Sequence, residues 1–274
     1  MTNVRSFKMC CFVTLLILGI YGIALAQDKD EAIGIQSTSC HTTLTSGSGA
    51  NYLQVCITNH GNLINFISPN GSGDHINSEG YALCDNTGGE FVDGYDTGSS
   101  EAGCGNPTIS QPNGANTLPL TITRTCDCIR FKQVFSRDTT EKDITITMTL
   151  TNVCSFTLNV VRVSRYFDGD LNGDSGDDTY DKSFDAVWAR DDFGQALTLT
   201  ALTFGTSHEA RIEEYRHWNP NGEVGFQSAK GCSALAGGQI GPTSPGDFVG
   251  RATYFLGNLS PNQSKTVKVV YRRQ

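Results

Sequence analysis

Apolar and polar residues alternate along several stretches of this chain, and that alternation restricts its fold more than any other feature. Residues 118–123, 129–135 and 144–150 place mostly apolar side chains at every second position. Successive side chains of a β-strand point to opposite faces, so each stretch predicts a strand with one buried face. Short polar segments separate the three stretches, which indicates an antiparallel β-meander.

The stretch from Phe156 to Phe167 changes its alternation partway along. Leu158 and Val160 belong to one face, whereas Val161 and Val163 belong to the other. A β-bulge near Val160 explains this change, and so does a strand that is buried on both faces. Further strands are predicted at residues 186–190, 197–204, 248–256 and 266–271.

Together these strands predict an all-β fold, a large antiparallel β-sandwich with little or no helix. The composition agrees, because 30 Gly and 8 Pro favour turns and strands over long helices. Residues 208–218 also fit a short helical turn, since Ile212, Tyr215 and Trp218 recur every three residues, but an irregular strand fits as well. No internal repeat or Pro-rich linker divides the sequence, so we expect a single domain.

The N-terminal residues have the pattern of a secretory leader. Arg5 and Lys8 precede an apolar run that ends in Ala24-Leu25-Ala26, a small-residue cleavage site. We therefore predict a signal peptide at residues 1–26 and a single secreted β-sandwich domain at residues 27–274, without a membrane span after cleavage. The alternative is a retained membrane anchor. The expected location is extracellular or periplasmic.

An even number of cysteines remains after this cleavage, and in an exported chain that indicates disulfides. Cys40 and Cys56 lie symmetrically about a Ser-Gly turn, so a hairpin there would bring them together. Cys84 and Cys104 bracket a Gly-rich acidic stretch, which makes them a plausible second pair. The predicted disulfide cysteines are Cys40, Cys56, Cys84, Cys104, Cys126, Cys128, Cys154 and Cys232.

Four cysteines remain, so we expect Cys126 and Cys128, on either side of Asp127, to pair with Cys154 and Cys232. A metal or redox site is the alternative for the Cys126-Asp127-Cys128 turn. It is disfavoured because zinc sites use C-x2-C spacing with a second pair, which the sequence lacks.

Composition excludes two classes of protein. With 38% hydrophobic residues and 14 Phe the chain is not intrinsically disordered. It carries 28 acidic and 20 basic residues, and Lys and Arg never cluster beyond two in a row, so we expect no nucleic-acid partner.

The most specific chemical signal is the acidic loop, residues 168–181, in which Asp168, Asp170 and Asn172 precede Gly173. This D-x-D-x-N-G order resembles the start of calcium loops in EF-hands, dockerins and thrombospondin type 3 repeats. The resemblance implies a structural Ca²⁺ site, but Thr179 occupies the twelfth position, where an EF-hand has Glu. A solvated acidic hairpin is the alternative. The predicted ligands are Asp168, Asp170, Asn172, Asp174, Asp177 and Asp178.

Catalytic signals are weak, since neither H-E-x-x-H nor G-x-S-x-G occurs. Glu209, Glu213, Glu214 and His217 are close in sequence and form either an acid–base group or a charged surface turn. Four aromatic residues form either a sugar-stacking platform or part of the core. These are Tyr81, Trp188, Tyr215 and Trp218.

We therefore predict a secreted, calcium-stabilised β-sandwich that binds carbohydrate, such as a polysaccharide, or another cell-surface ligand. No catalytic residue and no ligand-binding residue is assigned, and a non-enzymatic role is favoured. One alternative is a carbohydrate-active enzyme on a large β-sandwich, either mutarotase-like or a glycosidase. The other is a purely structural extracellular protein.

Overall fold

A computed structural model describes residues 40–85, 90–93, 104–137, 142–173, 178–214, 244–245 and 248–274. Within these ranges the chain forms seventeen strands and two short 3₁₀ turns, and it contains no α-helix. The strands are β1 (Thr42–Ser46), β2 (Leu53–Ile57), β3 (Leu63–Ile67), β4 (Ser78–Cys84), β5 (Glu90–Asp93), β6 (Thr108–Ser110), β7 (Leu120–Cys126), β8 (Ile129–Ser136), β9 (Asp143–Asn152), β10 (Leu158–Asp168), β11 (Thr179–Lys182), β12 (Ala186–Arg190), β13 (Ala196–Ala201), β14 (His208–Glu214), β15 (Ser244–Pro245), β16 (Phe248–Leu259) and β17 (Ser264–Arg273).

These strands form three antiparallel sheets. The largest has nine strands in the order β15-β11-β12-β13-β17-β9-β8-β7-β6, the second has five in the order β14-β16-β10-β4-β5, and the third is β1-β2-β3. The five-stranded sheet packs against β11, β12, β13 and β17, and apolar side chains from all three sheets form one core. The predicted all-β antiparallel sandwich is therefore confirmed.

The predicted meander is present as β7, β8 and β9, which pair in succession. Phe131 and Phe135 of β8 are fully buried. Buried residues alternate with exposed or half-buried ones along this strand, as the sequence pattern predicts. The change of alternation in β10 is a β-bulge, because the register with β16 shifts on both sides of Val161. Val160 lies in this bulge with a left-handed backbone, φ 55°.

The helical interpretation of residues 208–218 is wrong for residues 208–214. These residues form β14, which pairs with β16 along its whole length. Of the three residues at intervals of three, only Ile212 lies within β14, so the spacing carries no information about this strand. Residues 215–218 lie outside the described ranges.

Three disulfides are described, and they correct part of the predicted pairing. Cys40 bonds Cys56 as predicted, and Cys128 bonds Cys154. The Cys84–Cys104 pair is wrong, because Cys104 forms an isolated β-bridge beside Cys126 and bonds that residue instead. Cys126 consequently does not pair with Cys154 or Cys232 either.

The remaining predicted cysteines are Cys84 and Cys232. Cys84 is also disulfide-bonded, and Cys232 lies outside the described ranges. Both cysteines of the Cys126-Asp127-Cys128 turn are bonded to different partners, which excludes a thiolate metal site there. Disulfides in this number are typical of an oxidising compartment. Within the described ranges the two 3₁₀ turns are the only helical elements, and neither is long or apolar enough to cross a bilayer.

Candidate functional site

The five-stranded sheet buries one face against the core and carries charged residues on its other face, which we call the outer face. Along β14 and β16, Ile212 and Tyr254 belong to the core, and the alternate positions point away from it. A separate small cluster that includes Tyr166 and Val249 forms on this second side. The outer face consists of Arg162, Ser164 and Tyr166 of β10, Glu209, Arg211 and Glu213 of β14, and Val249, Arg251 and Thr253 of β16.

Strand register places two cations opposite each other on the outer face, since Arg211 pairs with Arg251. Like charges at directly opposed positions repel. Two carboxylates of β14 compensate this repulsion. Glu213 Oε1 lies 2.5 Å from Arg251 Nη2, and Glu209 Oε1 lies 2.8 Å from Arg211 Nε and 4.0 Å from Arg251 Nη2. The two carboxylates thus converge on one guanidinium.

This charged group is buried. The side chain of Arg251 is 1% exposed and that of Glu213 is 4% exposed. Burial lowers the pKa of Arg251 from its ordinary value, while Glu213 and Glu209 oppose the shift and favour the charged form. A buried ion pair is weak evidence for stability, because desolvation offsets much of its attraction. Groups with perturbed pKa values cluster at functional sites, which makes this charged group a candidate site.

Hydroxyl groups surround the ion pairs on the outer face. Ser164 Oγ and Thr253 Oγ1 are 2.7 Å apart across β10 and β16, and Tyr166 lies opposite Arg251 in the strand register. The Arg162 guanidinium stacks over the Phe255 ring at 5.2 Å. Ser164, Tyr166 and Thr253 are buried, so the accessible polar groups are the carboxylate of Glu209 and the guanidinium of Arg211. A carboxylate and a guanidinium supply the acceptors and donors that a polyhydroxyl ligand needs.

Sequence analysis located half of this arrangement. Glu209 and Glu213 do share a face, but on a strand and not on the surface turn that was the alternative. The side chain of Glu214 and residue His217 lie outside the described part of the chain. Arg251 was missed because only the pairing of β14 with β16 brings it to the two carboxylates. Its one sequence signal is its place in an otherwise apolar strand.

The aromatic residues do not form a platform where the structure describes them. Tyr81 is fully buried, with its ring centroid 4.8 Å from that of Phe131, and its hydroxyl accepts a hydrogen bond from Arg124. Trp188 is half-buried on β12 in the nine-stranded sheet. Tyr215 and Trp218 lie outside the described ranges. Tyr81 is therefore a core residue, and the sugar-stacking interpretation fails for it.

The acidic loop begins at the end of β10. Asp168 is fully buried and accepts a hydrogen bond of 3.0 Å from Asn77 Nδ2. Asp178 is also buried and accepts a 3.0 Å hydrogen bond from the Leu171 N–H. Asp170 is half-buried, and the predicted ligands Asp174 and Asp177 lie outside the described ranges. Burial raises the pKa of Tyr180 well above its usual value, and the charges of Asp168, Asp170 and Asp178 add to the effect.

Asn172 connects the acidic loop to its surroundings. Its backbone is left-handed, φ 60°, and its Nδ2 donates to Asp191 Oδ2 at 2.9 Å. Its backbone N–H donates to His75 Nδ1 at 3.0 Å, so the other ring nitrogen of His75 donates to the Ser68 carbonyl at 2.6 Å. Burial lowers the pKa of His75, which agrees with this neutral tautomer. Across the residues that the structure describes, no group of three or more His, Cys, Asp or Glu side chains is arranged to hold a metal ion.

No protein-family model and no curated protein matches the sequence. A bacterial glucoamylase solved in complex with acarbose has a similar fold, with a TM-score of 0.60 and 9% identity over 86% of this chain and 32% of its own. The chain thus spans about a third of that protein. A putative aldose 1-epimerase from Escherichia coli K12 gives a TM-score of 0.48 at 12% identity, over 85% of this chain and 99% of its own. A galactose mutarotase related enzyme from Lactobacillus acidophilus gives 0.47 at 9%, over 85% and 97%.

Proposed function

We propose that this protein binds carbohydrate, outside the cytoplasm, at the outer face of its five-stranded sheet. The observation that carries the proposal is the ion pair of Glu209 and Arg211, whose side chains are 27% and 22% exposed and which lies next to the buried guanidinium of Arg251. Sugar hydroxyls both donate and accept hydrogen bonds, so a fixed set of carboxylates and guanidiniums matches them. Because these side chains are held by one another, little conformational entropy is lost when a ligand binds.

Two further observations support the proposal. The glucoamylase whose fold resembles this chain was solved with acarbose, a carbohydrate analogue, although that likeness concerns the fold alone. The disulfides fit an oxidising compartment, which is where a leader at residues 1–26 would deliver the chain. Both observations agree with a secreted protein that binds carbohydrate.

The second candidate is a carbohydrate-active enzyme that uses the same two carboxylates. A glycosidase needs one protonated carboxyl group as its general acid. In this protein Glu213 and Glu209 each lie within 3 Å of a guanidinium, so both carboxylates are engaged in ion pairs. The geometry therefore favours binding, and release of reducing sugar from any bound saccharide would favour the enzyme.

Calorimetric titration tests the proposal. The wild-type protein is titrated with acarbose, maltoheptaose, xylohexaose and cellohexaose. We expect at least one saccharide to bind, and Arg251→Met to weaken its affinity at least tenfold. Arg211→Met, at a less buried position, serves if Arg251→Met does not fold. Arg130→Met, an exposed position on β8, should change affinity less than twofold. Binding that is unaffected by both outer-face substitutions would overturn the proposed site.

We also propose that the acidic loop binds one structural Ca²⁺ through Asp168, Asp170 and Asn172. Oxygen atoms of Asp174, Asp177 and Asp178 are the expected remaining ligands. The support is that Asp168, Asp170 and Asp178 all lie close enough to Tyr180 for their charges to raise its pKa, since a cation would offset the repulsion between carboxylates gathered in this way. Binding to the folded loop alone would stabilise the protein by mass action.

Removal of calcium tests this second proposal. A chelator should lower the melting temperature by a few degrees, and millimolar calcium should restore it, whereas monovalent salt at equal ionic strength should not. Asp170→Ala should abolish the calcium-dependent shift. Asp192→Ala, at an exposed turn between β12 and β13, should leave it intact. Identical melting with chelator and with calcium would show that the loop is a solvated acidic hairpin.

A further inference from the structure

A cavity of about 200 Å³ lies between the β1–β2 hairpin and the nine-stranded sheet, on a part of the fold that the outer face does not include. The β1–β2 hairpin forms one wall, and the start of β9 with the chain before β7 forms the other. Its lining includes Leu44, Leu53, Val55, Ile144, Asn116 and Arg137.

The inner part of this cavity is aliphatic. Leu44, Leu53, Val55 and Ile144 are buried core residues, and Leu118 is half-buried beside them. Among the residues that the structure describes, no aromatic ring lines the cavity, so these residues do not supply the stacking surface that sugars commonly use. An aliphatic lining favours a ligand with an apolar body.

The rim of the cavity is polar, and its net charge comes from Arg137. The carboxylate of Asp143 lies 2.8 Å from Arg272 Nη2, so its charge is already compensated. Arg137 is exposed at the end of β8 and has no ion-pair partner among the residues that the structure describes. Asn116 Oδ1 accepts a hydrogen bond from the Thr43 N–H at 3.1 Å, which leaves the Asn116 amide NH₂ group to donate.

We propose that this cavity binds a small carboxylate with a short apolar body, with the carboxylate held by Arg137 and Asn116. A guanidinium forms two parallel hydrogen bonds to a carboxylate, which gives both attraction and orientation. The cavity is smaller than the roughly 300 to 1,000 Å³ of sites for drug-sized ligands. Its ligand is therefore on the scale of a six-carbon acid, a class distinct from the carbohydrate proposed for the outer face.

Hexanoate and hexanol test the charge in this proposal, because they share an apolar body and differ in the carboxylate. We expect ligand-detected NMR titration of the full chain to give a dissociation constant for hexanoate at least fivefold lower than that for hexanol. Arg137→Met should raise the hexanoate constant to the hexanol value and leave hexanol unchanged. Arg130→Met, at the other end of the same strand, is the matched control and should change neither.

Ser46→Trp tests the location. Ser46 is half-buried, lines the cavity and lies on the same face of β1 as Leu44, so an indole there should block the cavity and abolish binding of both probes while the melting temperature stays near that of the wild type. Equal affinity for hexanoate and hexanol, no binding of hexanoate, or hexanoate binding that survives Arg137→Met and Ser46→Trp would each overturn the proposal. The carbohydrate titration of the outer face is unaffected by any of these results.

Discussion

Glu79 and Arg165 form an ion pair whose side chains are both 0% exposed, at the point where the three sheets meet. Arg165 Nε donates to Glu79 Oε1 at 2.6 Å, and the Tyr271 hydroxyl donates to the same oxygen at 2.6 Å. The backbone N–H of Leu63 donates to Glu79 Oε2 at 2.7 Å. A buried pair is stable only when its remaining hydrogen-bonding groups are satisfied, and here they are supplied by β3 and β17.

Glu79→Gln should lower the free energy of unfolding by about 3 to 5 kcal/mol, because it leaves the Arg165 charge buried without a counter-charge. Denaturant unfolding measures this loss. The double variant Glu79→Leu with Arg165→Met removes both charges and should lose less than the single variant. A single substitution that costs under about 1 kcal/mol would contradict the role given to this pair.

Glycine is required at position 61, beside the Glu79–Arg165 ion pair. Its φ is 91°, and a Cβ there would lie 2.8 Å from Gln133 Cδ, on a side chain that hydrogen-bonds Arg165 and the His60 carbonyl. Gly61→Ala should therefore destabilise the protein by clearly more than the roughly 1 kcal/mol expected for a left-handed alanine.

Gly114→Ala is the matched control for this substitution. Gly114 has φ 101° with no atom within 4 Å of the added Cβ, so it reports the backbone cost alone. Thermal unfolding compares the two variants. Equal melting temperatures would mean that the overlap with Gln133 has no energetic consequence.

Among the elements, β10 combines a shifted register with a left-handed residue that is not glycine. Val160 has φ 55° in the bulge, its side chain is 47% exposed, and its N–H donates to Asn258 Oδ1 at 3.3 Å. A β-branched residue is strained in a left-handed conformation, whereas asparagine tolerates it. The bulge adds one residue to the strand, so that Val161 and Val163 face the core as Leu158 does. The strained backbone at Val160 therefore accompanies the burial of these valines.

Val160→Asn should raise the free energy of unfolding by about 1 kcal/mol, because it relieves backbone strain at an exposed side chain. Val153→Asn is the control, since Val153 is 39% exposed and has an ordinary φ. It should change stability by less than about 0.5 kcal/mol. Chemical denaturation measures both, and a destabilised Val160→Asn variant would contradict the strain.

Strands that pair with their neighbours in sequence could be predicted from the sequence alone. The alternation at residues 120–150 sufficed for β7, β8 and β9, because each strand pairs with its neighbour in sequence. The Cys104–Cys126 bond and the approach of Arg251 to Glu213 were missed. Both depend on segments that meet only in the folded chain, and no periodicity in a single sequence encodes such pairing.

At the scale of the whole molecule, the disulfides tie the edges of the sandwich to its core. Cys104–Cys126 and Cys128–Cys154 flank the turn between β7 and β8, and Cys40–Cys56 fixes the β1–β2 hairpin. Constraints of this kind stabilise mainly by limiting the unfolded chain. These three disulfides lie apart from the outer face, whereas Cys84, which is also disulfide-bonded, belongs to the small cluster with Tyr166 and Val249 on that face.

Peptide mapping of the native protein without reduction should recover peptides that join Cys40 to Cys56, Cys104 to Cys126 and Cys128 to Cys154. Their cysteines should resist alkylation until a reductant is added. A peptide that joins Cys84 to Cys104 would contradict the described fold, because it would separate Cys104 from β7.

The most direct test of the account is a crystal structure of the protein with the tightest-binding saccharide from the calorimetric panel. We expect sugar hydroxyls within hydrogen-bonding distance, about 2.7 to 3.2 Å, of the outer-face carboxylates and of Arg251 or Arg211. Density for the saccharide elsewhere on the molecule, with the outer face free of ligand, would contradict carbohydrate binding at the outer face.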